Sequence, residues 1–135
     1  MTLTRFEDID AWQDARILTK NVYQCTSRAS FAKDFGLRDQ IQRAAGSVMH
    51  NIAEGFDSGS DVEFVRFLRY AQRSCTEVQS ELYVALDQDY VTKPQFDALF
   101  EQASLARSRI GGLIKYLLSS KDHPRRGTKR PGTVS

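Results

Sequence analysis

The chain has 135 residues, which suffices for one domain with a core and is too short for two domains of ordinary size. Its composition, 41% hydrophobic and 27% charged, excludes a largely disordered chain, and its apolar runs are too short to span a membrane. Residues 121–135 carry five basic side chains and one acidic side chain, whereas residues 1–120 carry 14 basic and 16 acidic ones. We expect a helical domain over residues 1–120 and a basic, disordered C-terminal tail over residues 121–135.

The first two helices are predicted from apolar residues that recur three and four positions apart. The first runs from about Phe6 to Ser27, and its apolar face consists of Phe6, Ile9, Trp12, Ala15, Thr19, Val22 and Tyr23. The second runs from about Leu37 to Gly55, and its apolar face consists of Leu37, Ile41, Ala44, Ala45, Val48 and Ile52. Gly55 is the candidate C-cap, because glycine readily takes the left-handed conformation that closes a helix. A turn is predicted at Asp57-Ser58-Gly59.

The third and fourth helices each begin with a capping signal. Ser60 is the predicted N-cap of the third helix, whose apolar face consists of Phe64, Leu68, Ala71, Cys75, Val78, Leu82 and Ala85. Thr92-Lys93-Pro94-Gln95 predicts a capping box for the fourth, whose apolar face consists of Phe96, Leu99, Ala103, Ala106, Ile110, Leu113 and Leu117. Gly111-Gly112 is interpreted as a point of close helix approach. The short connections predict an all-α fold, an antiparallel up-down four-helix bundle.

Residues for catalysis or metal binding are lacking in the sequence. It contains no Glu-x-x-His pair, and His50 and His123 have no partner at ligand spacing. Cys25 and Cys75 are expected to be small buried residues, too few for a disulfide framework. We therefore expect a protein that is not an enzyme and has no cofactor, metal or small-molecule substrate. The N-terminus lacks a secretory signal pattern, which predicts a cytoplasmic protein without membrane association.

Two surfaces carry polar patterns with more than one interpretation. On the second helix a polar stripe is formed by Gln40, Arg43, Ser47, Asn51 and Glu54, and it is either a solvated face or a subunit interface. On the third helix Arg66, Arg69 and Arg73 surround Tyr70, and they either bind nucleic acid or pair with carboxylates of another helix. The tail adds further candidate nucleic-acid contacts, namely Arg125, Arg126, Lys129 and Arg130.

The most specific stretch of the sequence is Gln40-Ile41-Gln42-Arg43-Ala44-Ala45, continuing through Ser47 to Asn51-Ile52-Ala53-Glu54-Gly55. The third helix follows with Phe64, Phe67, Leu68, Ala71, Ser74, Glu77 and Glu81-Leu82. On these residues the chain, from about Phe6 to Leu118, resembles the bacterial four helix bundle protein family, also called 23S ribosomal RNA intervening-sequence proteins. The resemblance implies a homopentamer of four-helix bundles without enzymatic activity. A related branch, the accessory proteins of diversity-generating retroelements, binds nucleic acid and a reverse transcriptase.

The chain departs from this family at several positions. Met49 and Ala32 stand where family members often have proline, and Asp57-Ser58-Gly59 stands where many carry arginine. Two functions follow as expectations. The first is a homopentameric scaffold that binds RNA or DNA through its cationic surface and tail, as an accessory to a reverse transcriptase. The alternative is a protein–protein interaction module, encoded in or like an rRNA intervening sequence, without a nucleic-acid role.

Overall fold

The computed structural model describes residues 3–119, and all regular elements over these residues are helices. A short 3₁₀ turn at Phe6–Asp8 is followed by α1 (Asp10–Thr26), α2 (Ala29–Lys33), α3 (Phe35–Asp57), α4 (Asp61–Asp87) and α5 (Lys93–Leu118). The all-α class predicted from the sequence is therefore confirmed for this part of the chain. The predicted tail, residues 121–135, lies outside the described residues.

The four long helices pack as a bundle in which each contacts two others. Helix α3 packs on α1 and α4, and α5 packs on the same two helices. Neighbouring helices run in opposite directions: Asn21, late in α1, donates to Gln102 at 3.0 Å, and Arg109, later in α5, donates to Asp14 of early α1 at 3.2 Å. The short helix α2 was not predicted from the sequence, and it places Phe31, which is fully buried, over one end of the core.

The core residues follow the predicted apolar faces closely. All the apolar residues predicted for α3, α4 and α5 are buried. The prediction for α1 was wrong at Tyr23, which is 51% exposed, and it missed Leu18, which is fully buried. Leu18 lies three residues after Ala15 and four before Val22, so these three residues share the buried face of α1. Tyr23 follows Val22 directly and is turned about 100° away from it, toward solvent.

Both predicted helix starts are confirmed by their hydrogen bonds. The Ser60 side chain accepts from the backbone N–H of Glu63 at 3.2 Å. Thr92 and Gln95 form the reciprocal capping box, with the Thr92 N–H donating to Oε1 of Gln95 at 2.8 Å. The start of α3 was missed: Asp34 is its N-cap and accepts from the N–H of Leu37 at 3.1 Å.

Glycine has a different role from the predicted one at two places. Gly55 is not a C-cap, because α3 continues to Asp57, and between α3 and α4 the left-handed backbone occurs at Gly59, at φ 75°. A Cβ on Gly55 would lie 2.9 Å from both Cδ1 of Phe64 and Cβ of Phe67, so glycine permits the close approach of α3 and α4. Of the pair Gly111-Gly112, a Cβ on Gly111 would lie 3.2 Å from Nε2 of Gln72 on α4, as a close approach predicts. The prediction was wrong at Gly112, where a Cβ would meet no atom within 4 Å among the described residues.

Candidate nucleic-acid and subunit interfaces

The arginine face of α4 consists of Arg66, Arg69 and Arg73 with Tyr70 among them. The three arginines are exposed and Tyr70 is half-buried. With Val62 and Val65 they line a shallow groove of about 410 Å³. Because the arginines recur every three or four residues, they form one row along the helix, as the sequence predicted.

Arg66 is held by two partners on its own helix. Its Nε donates to the Tyr70 hydroxyl at 3.0 Å, and its Nη1 donates to Oε1 of Glu63 at 2.9 Å. The hydrogen bond to Tyr70, together with the charge of Glu63, raises the pKa of the Arg66 guanidinium above its ordinary value. Arg66 is therefore already paired with a carboxylate. That carboxylate belongs to α4 itself, whereas the sequence had suggested a carboxylate of another helix.

Tyr70 organises the cluster around it. The guanidinium carbon of Arg66 lies 5.6 Å from the ring centroid, and that of Arg73 lies 5.7 Å from it. Phe67 adds an edge-on ring contact at 6.0 Å. The Tyr70 ring therefore orients the two guanidinium groups next to it, and its surface is largely engaged within the cluster.

Arg69 and Arg73 differ from Arg66 in their charge environment. Neither has a carboxylate oxygen within 4.0 Å among residues 3–119. Their positive charges are consequently not balanced by an ion pair on the described surface. An anionic ligand would meet them without first displacing a carboxylate.

The polar stripe of α3 is divided between solvent and the neighbouring helix. Gln40, Arg43 and Glu54 are exposed, whereas Ser47 and Asn51 are half-buried. The Asn51 amide donates to the Ser47 carbonyl at 2.8 Å and to the Ser47 Oγ at 2.9 Å. The Ser74 hydroxyl of α4 donates to the same Ser47 Oγ at 3.0 Å. The stripe therefore continues onto α4.

We call the combined surface the polar seam. Its α3 side consists of Arg43, Ser47 and Asn51, and its α4 side consists of Ser74, Glu77 and Glu81. Glu81 is only 9% exposed, and its Oε1 has no hydrogen-bond partner among residues 3–119. Burial raises the pKa of Glu81 to about 7; the nearby Glu77 carboxylate also raises it, while Arg43 lowers it.

Sequence reasoning missed the α4 side of the seam. The spacing of two residues could have revealed it. Ser74 and Glu81 are seven residues apart, and each directly precedes a buried apolar residue, Cys75 or Leu82. Two polar residues at that interval, each directly beside the apolar stripe, share one side of a helix. That side is the one turned toward α3.

The remaining side-chain predictions concern cysteine, metals and the tail. Burial raises the pKa of the Cys25 thiol to about 11 and that of the Cys75 thiol to about 12. Over residues 3–119 no three His, Cys, Asp or Glu side chains come together as metal ligands. None of the helices in this part of the chain is long and apolar enough to cross a membrane. Outside the described residues lie the predicted contacts Arg125, Arg126, Lys129 and Arg130.

Comparison with known proteins adds the family. In fold, the chain is similar to a crystal structure of a protein of unknown function from the S23 ribosomal protein family of Bacteroides thetaiotaomicron VPI-5482, with a TM-score of 0.71. The two are 19% identical, and the match covers 78% of this chain and 98% of the other. No curated protein matches the sequence. The profile of the 23S rRNA-intervening sequence proteins matches residues 7–112, so the chain belongs to this family.

Proposed function

We propose that this protein is a non-enzymatic, homo-oligomeric scaffold that binds RNA or DNA through the arginine face of α4 and its basic tail. The observation that carries the proposal is the pair Arg69 and Arg73, two exposed cations without a carboxylate partner in the described part of the chain. Exposed arginine is the usual contact to nucleic-acid phosphates, because it offers several donors in a planar fork.

The geometry of the arginine face suits an extended anion. From Arg66 to Arg73 the row advances by about 10 Å along α4, at about 1.5 Å per residue. A nucleic-acid strand presents phosphates at regular short intervals, so several can be met along one helix. Tyr70 supports this use, since it holds the guanidinium groups of Arg66 and Arg73 on the outer surface.

The proposal includes self-association, because the arginine face of a single copy offers few contacts to a nucleic-acid strand. Two free arginines per copy give only weak phosphate binding, whereas several copies on one scaffold would bind one strand with a higher effective concentration. The α3 stripe supplies the candidate contact between copies, with Gln40, Arg43 and Glu54 open to solvent. The homopentamer implied by the family resemblance is the assembly we propose.

The partner in this proposal is a reverse transcriptase of a diversity-generating retroelement, in keeping with the related branch of accessory proteins. The gene neighbourhood tests this part separately. A reverse transcriptase gene next to template and variable repeats would support it, and a position inside a 23S rRNA gene would count against it.

A second candidate function is a protein–protein interaction module without a nucleic-acid role. It is favoured by the acidic balance of residues 1–120, with 14 basic and 16 acidic side chains, and by the two carboxylates in the polar seam. An oligomer that retains neither RNA nor DNA would support this candidate over the first.

Filter binding of single-stranded RNA and DNA distinguishes the two candidates. The double variant Arg69→Gln/Arg73→Gln is expected to lose on the order of tenfold in affinity at low salt, because two phosphate contacts disappear. The matched control is Lys20→Gln/Arg107→Gln, which removes the same charge from exposed positions on α1 and α5. Equal losses in both variants, or no retention by the wild-type protein at low salt, would contradict the proposed arginine-face site.

A further inference from the structure

We propose that the Glu81 carboxylate lies at a contact between two copies of this chain. There it accepts a hydrogen bond from a cationic side chain of the neighbouring copy, which packs on the polar seam. The inference rests on the self-association in the proposed function and names the residue at its centre. It also extends the contact surface from the α3 stripe to α4, where Glu77 and Glu81 lie.

The first argument is the unmet hydrogen bonding of Glu81. Its side chain is 9% exposed, and Oε1 is buried without a donor among residues 3–119. Burying a carboxyl oxygen without a partner costs free energy, because its hydrogen bonds to water are lost and none within the protein replaces them. The terminal torsion of glutamate is broad and nearly two-fold, so rotation can turn either oxygen toward the surface between α3 and α4.

The second argument is that the rest of the seam cannot supply the donor. Ser74 donates to Ser47, and Asn51 donates to the Ser47 hydroxyl and carbonyl. Arg43 is close enough to lower the pKa of Glu81, yet it makes no ion pair within 4.0 Å in the described part of the chain. The donor that satisfies Glu81 therefore has to come from elsewhere.

Charge and apolar surface favour a second copy as the source. Around Glu81 the seam carries Glu77 and Glu81 against Arg43, so its complement is cationic. The chain displays exposed cations away from the arginine face that form no ion pair among residues 3–119, Arg16 and Arg28 among them. Three residues after Glu81, on the same side of α4, the apolar Val84 is 46% exposed. An inorganic cation would leave this apolar surface in water, whereas a protein surface covers it.

Sedimentation equilibrium of the full-length chain tests the proposal. Glu81→Gln keeps the shape of the side chain and removes its charge, and it is expected to weaken self-association by about 10- to 100-fold. The control Glu101→Gln removes a charge from an exposed position on α5 and should associate like the wild type. Circular dichroism must show that Glu81→Gln is folded. Self-association of Glu81→Gln as tight as that of the wild type would overturn the proposal.

The pH dependence of the wild-type association gives a second test that needs no variant. Because the cation of the neighbouring copy binds the ionised Glu81 carboxylate, association should tighten as the pH rises from about 6 to about 8, and Glu81→Gln should lose this dependence. The charged groups that act on Glu81 are Glu77 of α4 and Arg43 of α3. A wild-type association constant that is unchanged over this range would contradict the proposal.

Two further experiments distinguish this contact from a contact made by the basic tail and from a failure of self-association as a whole. The full chain with Arg125, Arg126, Lys129 and Arg130 changed to glutamine should still self-associate; a loss would assign the donor to the tail and overturn the contact proposed here. A wild-type protein that is monomeric at all concentrations would remove self-association from the proposed function as well. Nucleic-acid binding is measured independently by filter retention, so its failure leaves the Glu81 result interpretable.

Discussion

The hydroxyl of Ser74 on α4 donates to the hydroxyl of Ser47 on α3 at 3.0 Å, and this hydrogen bond joins the two helices at the middle of the polar seam. Ser47 also accepts from the Asn51 amide at 2.9 Å. One serine thereby receives two donors at a half-buried position. The packing of α3 on α4 thus combines an apolar side with a narrow hydrogen-bonded side.

Ser47→Ala should lower the free energy of unfolding by about 1–2 kcal/mol, since the Ser74 hydroxyl loses its acceptor and the Asn51 amide loses one of two. Urea unfolding measures the change. Thr76→Ala is the control, because Thr76 is exposed and its hydroxyl donates to the carbonyl of Gln72 on its own helix. A Ser47→Ala protein as stable as the control would show that the hydroxyl pair contributes little.

Substitutions of two glycines should have opposite signs. Gly55→Ala places a methyl group 2.9 Å from side-chain atoms of Phe64 and Phe67, so we expect a loss of about 1–3 kcal/mol as α3 and α4 move apart. Gly112→Ala meets nothing within 4 Å in the described structure and should gain about 0.5–1 kcal/mol from helix propensity. Thermal unfolding of both variants checks the pair. Stabilisation by Gly55→Ala would contradict the close approach.

The stability of the isolated subunit should depend on the ionisation of Glu81. Burial raises the pKa of Glu81 from 4.5 to about 7, so the folded subunit binds the proton more tightly than the unfolded chain. The stabilisation is complete below about pH 4.5 and is lost as the pH rises to about 7, with a total on the order of 1–3 kcal/mol. Urea unfolding at low protein concentration, compared with Glu81→Gln, measures it. Identical pH profiles would show that Glu81 titrates normally.

Asp34 connects two chain reversals at one end of the bundle. Its Oδ1 accepts from the N–H of Leu37 at 3.1 Å, and its Oδ2 accepts from the Tyr90 hydroxyl at 2.9 Å. Asp34→Ala should cost about 1–2 kcal/mol through loss of the N-cap of α3. Asp34→Asn keeps a capping oxygen and should cost less, while Tyr90→Phe isolates the second bond. Equal losses for Asp34→Ala and Asp34→Asn would assign the effect to charge instead of capping.

Helix positions and core faces could be predicted from the sequence because they depend on local periodicity. The apolar residues predicted for α4, from Phe64 to Ala85, recur three and four positions apart on one face, and all of them are buried. Gly55 could not be assigned in the same way, since its role depends on Phe64 and Phe67 of a different helix. A glycine near the end of an apolar pattern looks the same whether it caps a helix or admits a neighbour.

The polar seam shows the same limit for the candidate site. The polar stripe of α3, from Gln40 to Glu54, could be predicted from the spacing of its residues. The burial of Glu81 could not, because it depends on how α3 packs against α4. For the arginine face, the sequence indicated the row Arg66, Arg69 and Arg73 but could not show that Arg66 is paired with Glu63 and Tyr70. Which charges remain unpaired is a property of side-chain geometry.

Sedimentation velocity of a fluorescently labelled single-stranded RNA mixed with the full-length protein tests the central claim most directly. We predict that at low salt the RNA moves with a boundary whose mass corresponds to several protein copies, and that raising the salt from about 50 to about 200 mM returns it to the free boundary. The Arg69→Gln/Arg73→Gln variant should keep its own protein oligomer while carrying less RNA. RNA that remains in the free boundary at low salt, beside an intact protein oligomer, would contradict the claim.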